Sequence, residues 1–342
     1  MGNPILVELT RGARPESVHA GAIAVARADG ELIAAIGEVE QPTFPRSAIK
    51  PLQALPLLET GAADRYAFGA RELALACGSH SGTPEHAATV ANMLALAGLA
   101  GSALGCGAQE PLDGVAAREL VRAGLAPTAL NHNCSGKHAG MLATAAHMAE
   151  PIDAYWLPDH PVQMRIRATL EDMTGRPLGA DVRGIDGCSV PNWAIPLRRL
   201  AAAFARFVTG EGVRPERAQA CRRLAEACWA QPWLVAGQGR LDTRAMGRLP
   251  GKVLIKSGAE GVHCGGFPAL GLGFALKIDD GGKRAAELVA ASLVSHYYPE
   301  AAQVLGPKAP LQNFRGLTVG EIRLSCALSA FLLGLSRRRA EL

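Results

Sequence analysis

The stretch Asn131-His132-Asn133-Cys134-Ser135-Gly136-Lys137-His138-Ala139-Gly140-Met141 gathers a thiol, a hydroxyl, an amine and two imidazoles. The apolar run Met141 to Met148 follows, so it reads as a polar loop feeding a helix. Helix N-termini carry free N–H groups and partial positive charge, which suits anions and thiolates. Taken alone, the stretch also fits a plain loop with capping Asn, one buried Cys and surface His.

A second set lies at Phe44-Pro45-Arg46-Ser47-Ala48-Ile49-Lys50-Pro51. Proline is tolerated in the first turn of a helix, so Pro51 places a helix start near Ser47. Ser47 and Lys50 are three apart and share a face there. That spacing suits a serine nucleophile with a lysine base, provided burial or another cation lowers the lysine pKa. It also suits an N-cap serine beside a solvated lysine. Three further polar segments carry comparable chemistry: Cys77-Gly78-Ser79-His80-Ser81-Gly82, Gly184 to Trp193 with Asp186 and Cys188, and Lys256-Ser257-Gly258-Ala259-Glu260-Gly261.

The elements that must position these groups follow from patterning. Ile5–Thr10 reads as a strand. Val18–Arg27 and Glu31–Glu38 flank Asp29-Gly30, a hairpin signal. Residues 71 to 190 read as mostly helical: 71–77, 84–98 behind a Thr83 cap with Pro84 first, 114–123, 139–149 and 159–174. Helices at 194–209 and 215–230 come next, the latter placing Cys221 and Cys228 in packing positions. Then follow strands at 252–256 and 267–278 and a helix at 283–298. This order is not alternating βαβ, which disfavours a doubly wound parallel sheet. The expected class is α+β: an antiparallel sheet flanked by helices, shared by both chain ends, with an inserted helical subdomain. The expected division is one domain over 1–325, with an α/β part (about 1–50 and 190–325) and a helical part (about 51–189). A tail at 326–342 receives no role.

The chain has 342 residues, and a hydrophobic content of 49% supports a sizeable core. Net charge is +4 with scattered basic residues, apart from Arg337-Arg338-Arg339, and there is no basic-aromatic stripe. Nucleic-acid binding is therefore not expected. Residues 1–11 lack a charged segment followed by an apolar core, and no run approaches the ~20 apolar residues of a membrane span, so neither a secretory signal nor membrane insertion is expected. Eight cysteines without CxxC spacing do not form a disulfide framework, which suits a cytoplasmic location.

Ser-x-x-Lys, a serine-bearing loop in a helical block and Lys-Ser-Gly on a late strand resemble, in layout, the serine β-lactamases, penicillin-binding proteins and serine glutaminases. A closer resemblance covers about 5–323. The segments 45–51, 77–82, 133–138, 187–191 and 256–261, with Leu317–Arg323, resemble in order the bacterial L-asparaginase II family. Gly78 and Ser257 read as minor substitutions, and the ending beyond Arg323 departs from the family pattern.

The resemblance implies hydrolysis of L-asparagine to L-aspartate and ammonia, a serine β-lactamase-like fold and a homodimer. It implies two Ser–Lys pairs in one pocket, Ser47 with Lys50 and Ser79 with Lys256. It also implies a zinc site matching Cys134, Lys137 and Cys188; His138, and less so His132 and His263, are alternative ligands on residue chemistry. Two nearby amines resist carrying charge together, so one lysine is expected neutral near pH 7. On this reading Lys50 activates Ser47 for attack, Ser79 and Lys256 relay a proton, and N–H groups at Ser47 and on the Lys256 strand hold the oxyanion. Exchanged roles, with Ser79 as nucleophile, stay open. Asp186 or Glu260 would take the substrate α-ammonium, and Arg46, or backbone N–H groups at a helix start, its α-carboxylate, with His80 beside them. Zinc would tune substrate binding rather than generate the nucleophile. Competing readings are another Ser–Lys amidase (a glutaminase or β-lactam hydrolase) and a non-catalytic zinc or amino-acid binding protein.

Overall fold

A computed structural model describes residues 2–306 and 310–339. Its centre is an antiparallel sheet of β1 (Ile5–Arg11), β2 (Arg14–Arg27), β3 (Leu32–Ile36), β4 (Leu254–Ser257), β5 (Val262–Phe267), β6 (Leu272–Ile278) and β7 (Ile322–Leu324). The strands run in the order β7-β1-β2-β6-β5-β4, with β3 also on β2. β2 is long enough to pair β1 through its first half and both β6 and β3 through its second, from Gly21↔Ile278 and Ile23↔Ile36 onward. Both chain ends meet where Val7 pairs Leu324.

The expected 267–278 strand starts only at Leu272, as β6; Phe267 ends a further strand, β5, and 268–271 form the turn between them. Pro268 opens a short 3₁₀ turn and Gly271 takes a left-handed conformation (φ 63°), so the chain reverses between β5 and β6.

The main helices are α1 (Ala70–Ala76), α2 (Pro84–Leu96), α3 (Gly114–Arg122), α4 (Ser135–His147), α5 (Pro161–Thr174), α6 (Leu197–Thr209), α7 (Pro215–Ala230), α8 (Leu241–Arg248), α9 (Lys283–Tyr297) and α10 (Cys326–Arg339). Neighbouring strand residues face opposite sides of a sheet. Phe267 and Phe274 stack with ring centres 5.4 Å apart, and Tyr297 of α9 closes on Phe267 at 4.7 Å. The adjacent Gly266 and Gly273 face α6. A Cβ on Gly273 would run into the Ala201 carbonyl, so glycine lets the helix backbone lie directly on the strand. Among the remaining helices, α1 packs against α2, α4 and α7, and α5 and α7 also pack on α6. α10 covers β1, and the last three residues of the tail considered above lie outside the described residues. Among the described residues, no helix is long and apolar enough to cross a membrane.

Candidate active site

The site lies at the seam between the sheet and the helical block. From the sheet, the end of β4 carries Lys256 and Ser257. From the helical block comes the loop after α1, with Ser79, and between the two lies a 3₁₀ turn, Arg46–Ile49, with Ser47, packed on β4 and β5. Gly258 joins the two sides. A Cβ there would come 2.6 Å from the Pro45 carbonyl and 3.2 Å from the Ala48 nitrogen, so only glycine lets the strand end meet the Ser47 turn at this distance. A cavity of about 520 Å³ opens here, lined among others by Ser47, Ser79, Asn133, Arg240, Ser257 and Glu260. Its size is ordinary for a small-molecule site.

The two lysines sit in different surroundings. Lys256 Nζ lies 3.0 Å from Ser79 Oγ and donates to the Ser257 carbonyl at 2.7 Å. Burial pushes this amine down to about 7; Asp242 opposes the shift, and Lys50 and Arg240 reinforce it. A neutral amine accepts a proton, so the contact with Ser79 can run from hydroxyl to nitrogen. Lys50 is also fully buried, and burial lowers its pKa. Its Nζ donates to the carbonyls of Gly78 (2.6 Å) and Asn133 (3.2 Å), and among the described residues no hydrogen bond joins it to Ser47. Shared helix-start spacing therefore brings Ser47 and Lys50 into one turn but does not link their side chains here: tertiary carbonyls take the amine.

Arg46 and Asp186 pair with each other at 3.0 Å. Asp186 also accepts from the Gly187 N–H and from Asn192 Nδ2. Their opposite charges largely cancel and tie the 184–193 loop to the Ser47 turn. Glu260, by contrast, lines the cavity together with Ser47 and Ser79. His80 is fully buried. Its Nδ1 accepts from the Gly82 N–H, its Nε2 donates to Ser135 Oγ, and its ring stacks on His86, which stacks on Trp233. With both nitrogens taken, the ring braces the Ser79 loop.

The 131–141 stretch differs from a loop feeding a helix at 139. The helix α4 starts at Ser135, so Lys137 and His138 are already helical and buried. Lys137 Nζ donates to Cys188 Sγ at 3.1 Å. The Cys188 thiol in turn donates to Cys134, which, with the nearby Lys50 and Lys137 ammonium groups, holds Cys134 well below the usual thiol range. Burial works against the Lys137 charge, but the two sulfurs outweigh it and raise the amine. Cys134 and Cys188 supply sulfurs that suit a soft cation, and Lys137 could join them only by giving up the proton that the two sulfurs hold on it. Among the described residues no group of three or more His, Cys, Asp or Glu is arranged to hold a metal. His138 is engaged with the Tyr155 hydroxyl, and His132 Nδ1 accepts from the Cys134 N–H.

Three residues at the site hold a left-handed backbone without being glycine: Arg46 (φ 51°), Ser189 (φ 76°) and Glu260 (φ 57°). Such conformations cost about 1–3 kcal/mol each and persist where surrounding structure enforces them.

A family model described as L-asparaginase II matches residues 7–324. The chain belongs to the L-asparaginase II family. Membership makes it an amidohydrolase. Among solved structures, "Crystal Structure Analysis of Mglu" is similar at 17% identity, covering 85% of this chain and 69% of that one, with a TM-score of 0.37. "Crystal structure of Mglu in its native form in the presence of 4.3M NaCl" is similar at 16% identity, with 85% and 63% coverage and a TM-score of 0.38. No curated protein matches the sequence.

Two residues of this family member's site lie outside the sequence motifs. Arg240 lines the cavity and points its guanidinium at the Ser79 carbonyl (3.5 Å) and Ser257 Oγ (3.4 Å). Asp242 sits fully buried behind Lys256. The one sequence signal for them was an Arg and an Asp flanking the first residue of a short helix.

Proposed function

We propose that the protein hydrolyses L-asparagine to L-aspartate and ammonia, with Lys256 as the base. The supporting observation is a buried amine of pKa about 7, 3.0 Å from a cavity-lining serine hydroxyl. Ser79 gives its proton to Lys256 and attacks the side-chain amide carbon. Lys256 returns the proton to the leaving nitrogen, the C–N bond breaks, and ammonia departs from an acyl-Ser79 ester. Water, losing a proton to Lys256, then attacks the ester; the acyl C–Oγ bond breaks, Lys256 returns the proton to Ser79 Oγ, and aspartate leaves. Glu260 takes the α-ammonium and Arg240 the α-carboxylate, because Arg46 and Asp186 neutralise each other. Cys134, Lys137 and Cys188 would hold zinc, which when bound supplies a fixed positive charge beside the cavity.

One observation favours a second reading with Ser47 as nucleophile. The Ser79 N–H is spent on the Val235 carbonyl at 2.7 Å, so it is not free as an oxyanion donor. Ser47 stands in the first turn of a helix, where N–H groups lack intrahelical partners.

Ammonia release is measured with L-asparagine and L-glutamine for the wild type, Ser79→Ala and Ser47→Ala, with intact-mass and peptide analysis for a trapped acyl group. An adduct on Ser79 and release favouring asparagine are expected. An adduct on Ser47 transfers the first step to that residue. No release from either amide by folded protein overturns the activity.

A further inference from the structure

Asp242 is a carboxylate that nothing so far explains. It occupies the first turn of α8 and is 1% exposed. Burying a charge so completely is costly unless it is paired and hydrogen-bonded. Its partners all belong to the end of β4 and the strand beside it. Asp242 Oδ2 accepts from the Ser257 N–H at 3.0 Å and from Ser257 Oγ at 2.7 Å, and stands 3.7 Å from Lys256 Nζ. Asp242 Oδ1 lies 4.0 Å from Nε2 of the buried His263.

The consequence runs through Ser257. The Ser257 carbonyl accepts from Lys256 Nζ, and the same residue is gripped at both its N–H and its hydroxyl by Asp242. We propose that Asp242 is the positioning residue of the Ser79–Lys256 pair: its carboxylate fixes Ser257, Ser257 fixes the lysine amine against Ser79, and its charge balances that of the protonated amine.

The inference rests on the reading of Lys256 as the base. The other charged or titratable groups acting on the pair are Lys50, Arg240, His263, Cys77, Cys134 and Cys264. Burial holds His263 down at about 4, so at neutral pH the imidazole carries no charge. Lys50 and Arg240 drive the Lys256 proton off; Asp242 is the foremost group holding it on. The pair is thus poised between these opposed charges, with Asp242 keeping the amine able to take up a proton during the reaction and give it to ammonia.

The test compares wild type with Asp242→Asn and Ser257→Ala. Asparagine at 242 keeps an acceptor for Ser257 and removes the charge. Alanine at 257 keeps the charge and removes the hydroxyl link. The chain has seven lysines, so ¹³C-labelled lysine gives a countable NMR titration that needs no turnover. Removing an opposite charge this close should lower the Lys256 midpoint by about 1–3 pH units. In Asp242→Asn the acid limb of kcat/KM is expected to move down with it, and kcat to fall. In Ser257→Ala kcat falls about tenfold or more while the midpoint stays. An unmoved Lys256 midpoint in Asp242→Asn overturns the inference. A midpoint that moves without the kcat/KM limb following supports the Asp242–Lys256 link and overturns Lys256 as the base. Asp242→Ser, smaller and uncharged, is the second variant should Asp242→Asn fail to fold, and the same midpoint decides.

Discussion

Replacing Lys256 is the sharpest test of the catalytic reading. The amine lies near 7 against an ordinary 10.5. At pH 7.5 a group of pKa 7 is neutral in about three-quarters of molecules, whereas an ordinary lysine is neutral in about one in a thousand. Burial at this position therefore raises the usable base roughly 750-fold, equivalent to about 4 kcal/mol. The sign follows: the neutral amine is the active form, so kcat/KM rises with pH and levels off above about 7. At pH 5.5 it should stand about 30-fold below the plateau. Lys256→Arg keeps a positive charge that cannot be given up, and Lys256→Met keeps the apolar stem without the amine. Both should lose about 10²–10⁴-fold in kcat, the usual worth of a positioned base, with a much smaller change in KM. The assay is ammonia release from L-asparagine between pH 5 and 9.5, with circular dichroism as the folding control. Arginine at 256 retaining activity within tenfold, or a profile flat from pH 5.5 to 8, refutes the assignment.

Gly258→Ala puts a methyl group against the Pro45 carbonyl and should cost about 1–3 kcal/mol by urea unfolding, with a fall in kcat because the Lys256 strand and the Ser47 turn are forced apart; unchanged stability would mean the seam yields freely. Glu59→Gln breaks a buried fork in which Glu59 accepts from Arg217 Nε (2.6 Å) and Nη2 (2.9 Å), and should cost about 3 kcal/mol by the same assay because Arg217 stays buried with less compensation; a loss below about 1 kcal/mol would place the pair among surface-type bridges. Zinc titrated into the purified protein should bind with one equivalent, and Cys188→Ser should weaken it at least about tenfold; equal uptake by the variant would remove Cys188 from the site.

Local signals in the sequence carried the elements well. Asp29-Gly30 marks the β2–β3 hairpin, and Thr83-Pro84 starts α2 as the cap rule requires. The sheet shared by both chain ends follows from the element order. What escaped was set by tertiary contact. Ser-x-x-Lys spacing put Ser47 and Lys50 in one turn, but a long flexible amine goes where its acceptors are, and those are carbonyls on two other segments. His80 stood in a loop rich in hydroxyls, and its burial between His86 and Ser135 depends on segments far along the chain. Asp242 and Arg240 lay in no motif, because a carboxylate at a helix start reads as ordinary first-turn charge.

The separations along the chain explain why the site cannot be read as a local feature. Ser79 and Lys256 are 177 residues apart, and Arg46 and Asp186 are 140 apart. Neither partner is held by the element that carries the other: the first distance is fixed by how the Ser79 loop seats against the sheet, the second by how the 184–193 loop meets the Ser47 turn. The left-handed backbones at Arg46, Ser189 and Glu260 lie in the loops facing that seam. Their strain must be supplied by packing on both sides, through contacts such as Gly258 against Pro45 and the Asp242 grip on Ser257. Burial of Lys256 depends on the same seam. Loosening it would let water reach the amine, return its pKa toward that of an ordinary lysine, and remove the neutral base at working pH without altering any residue that touches substrate.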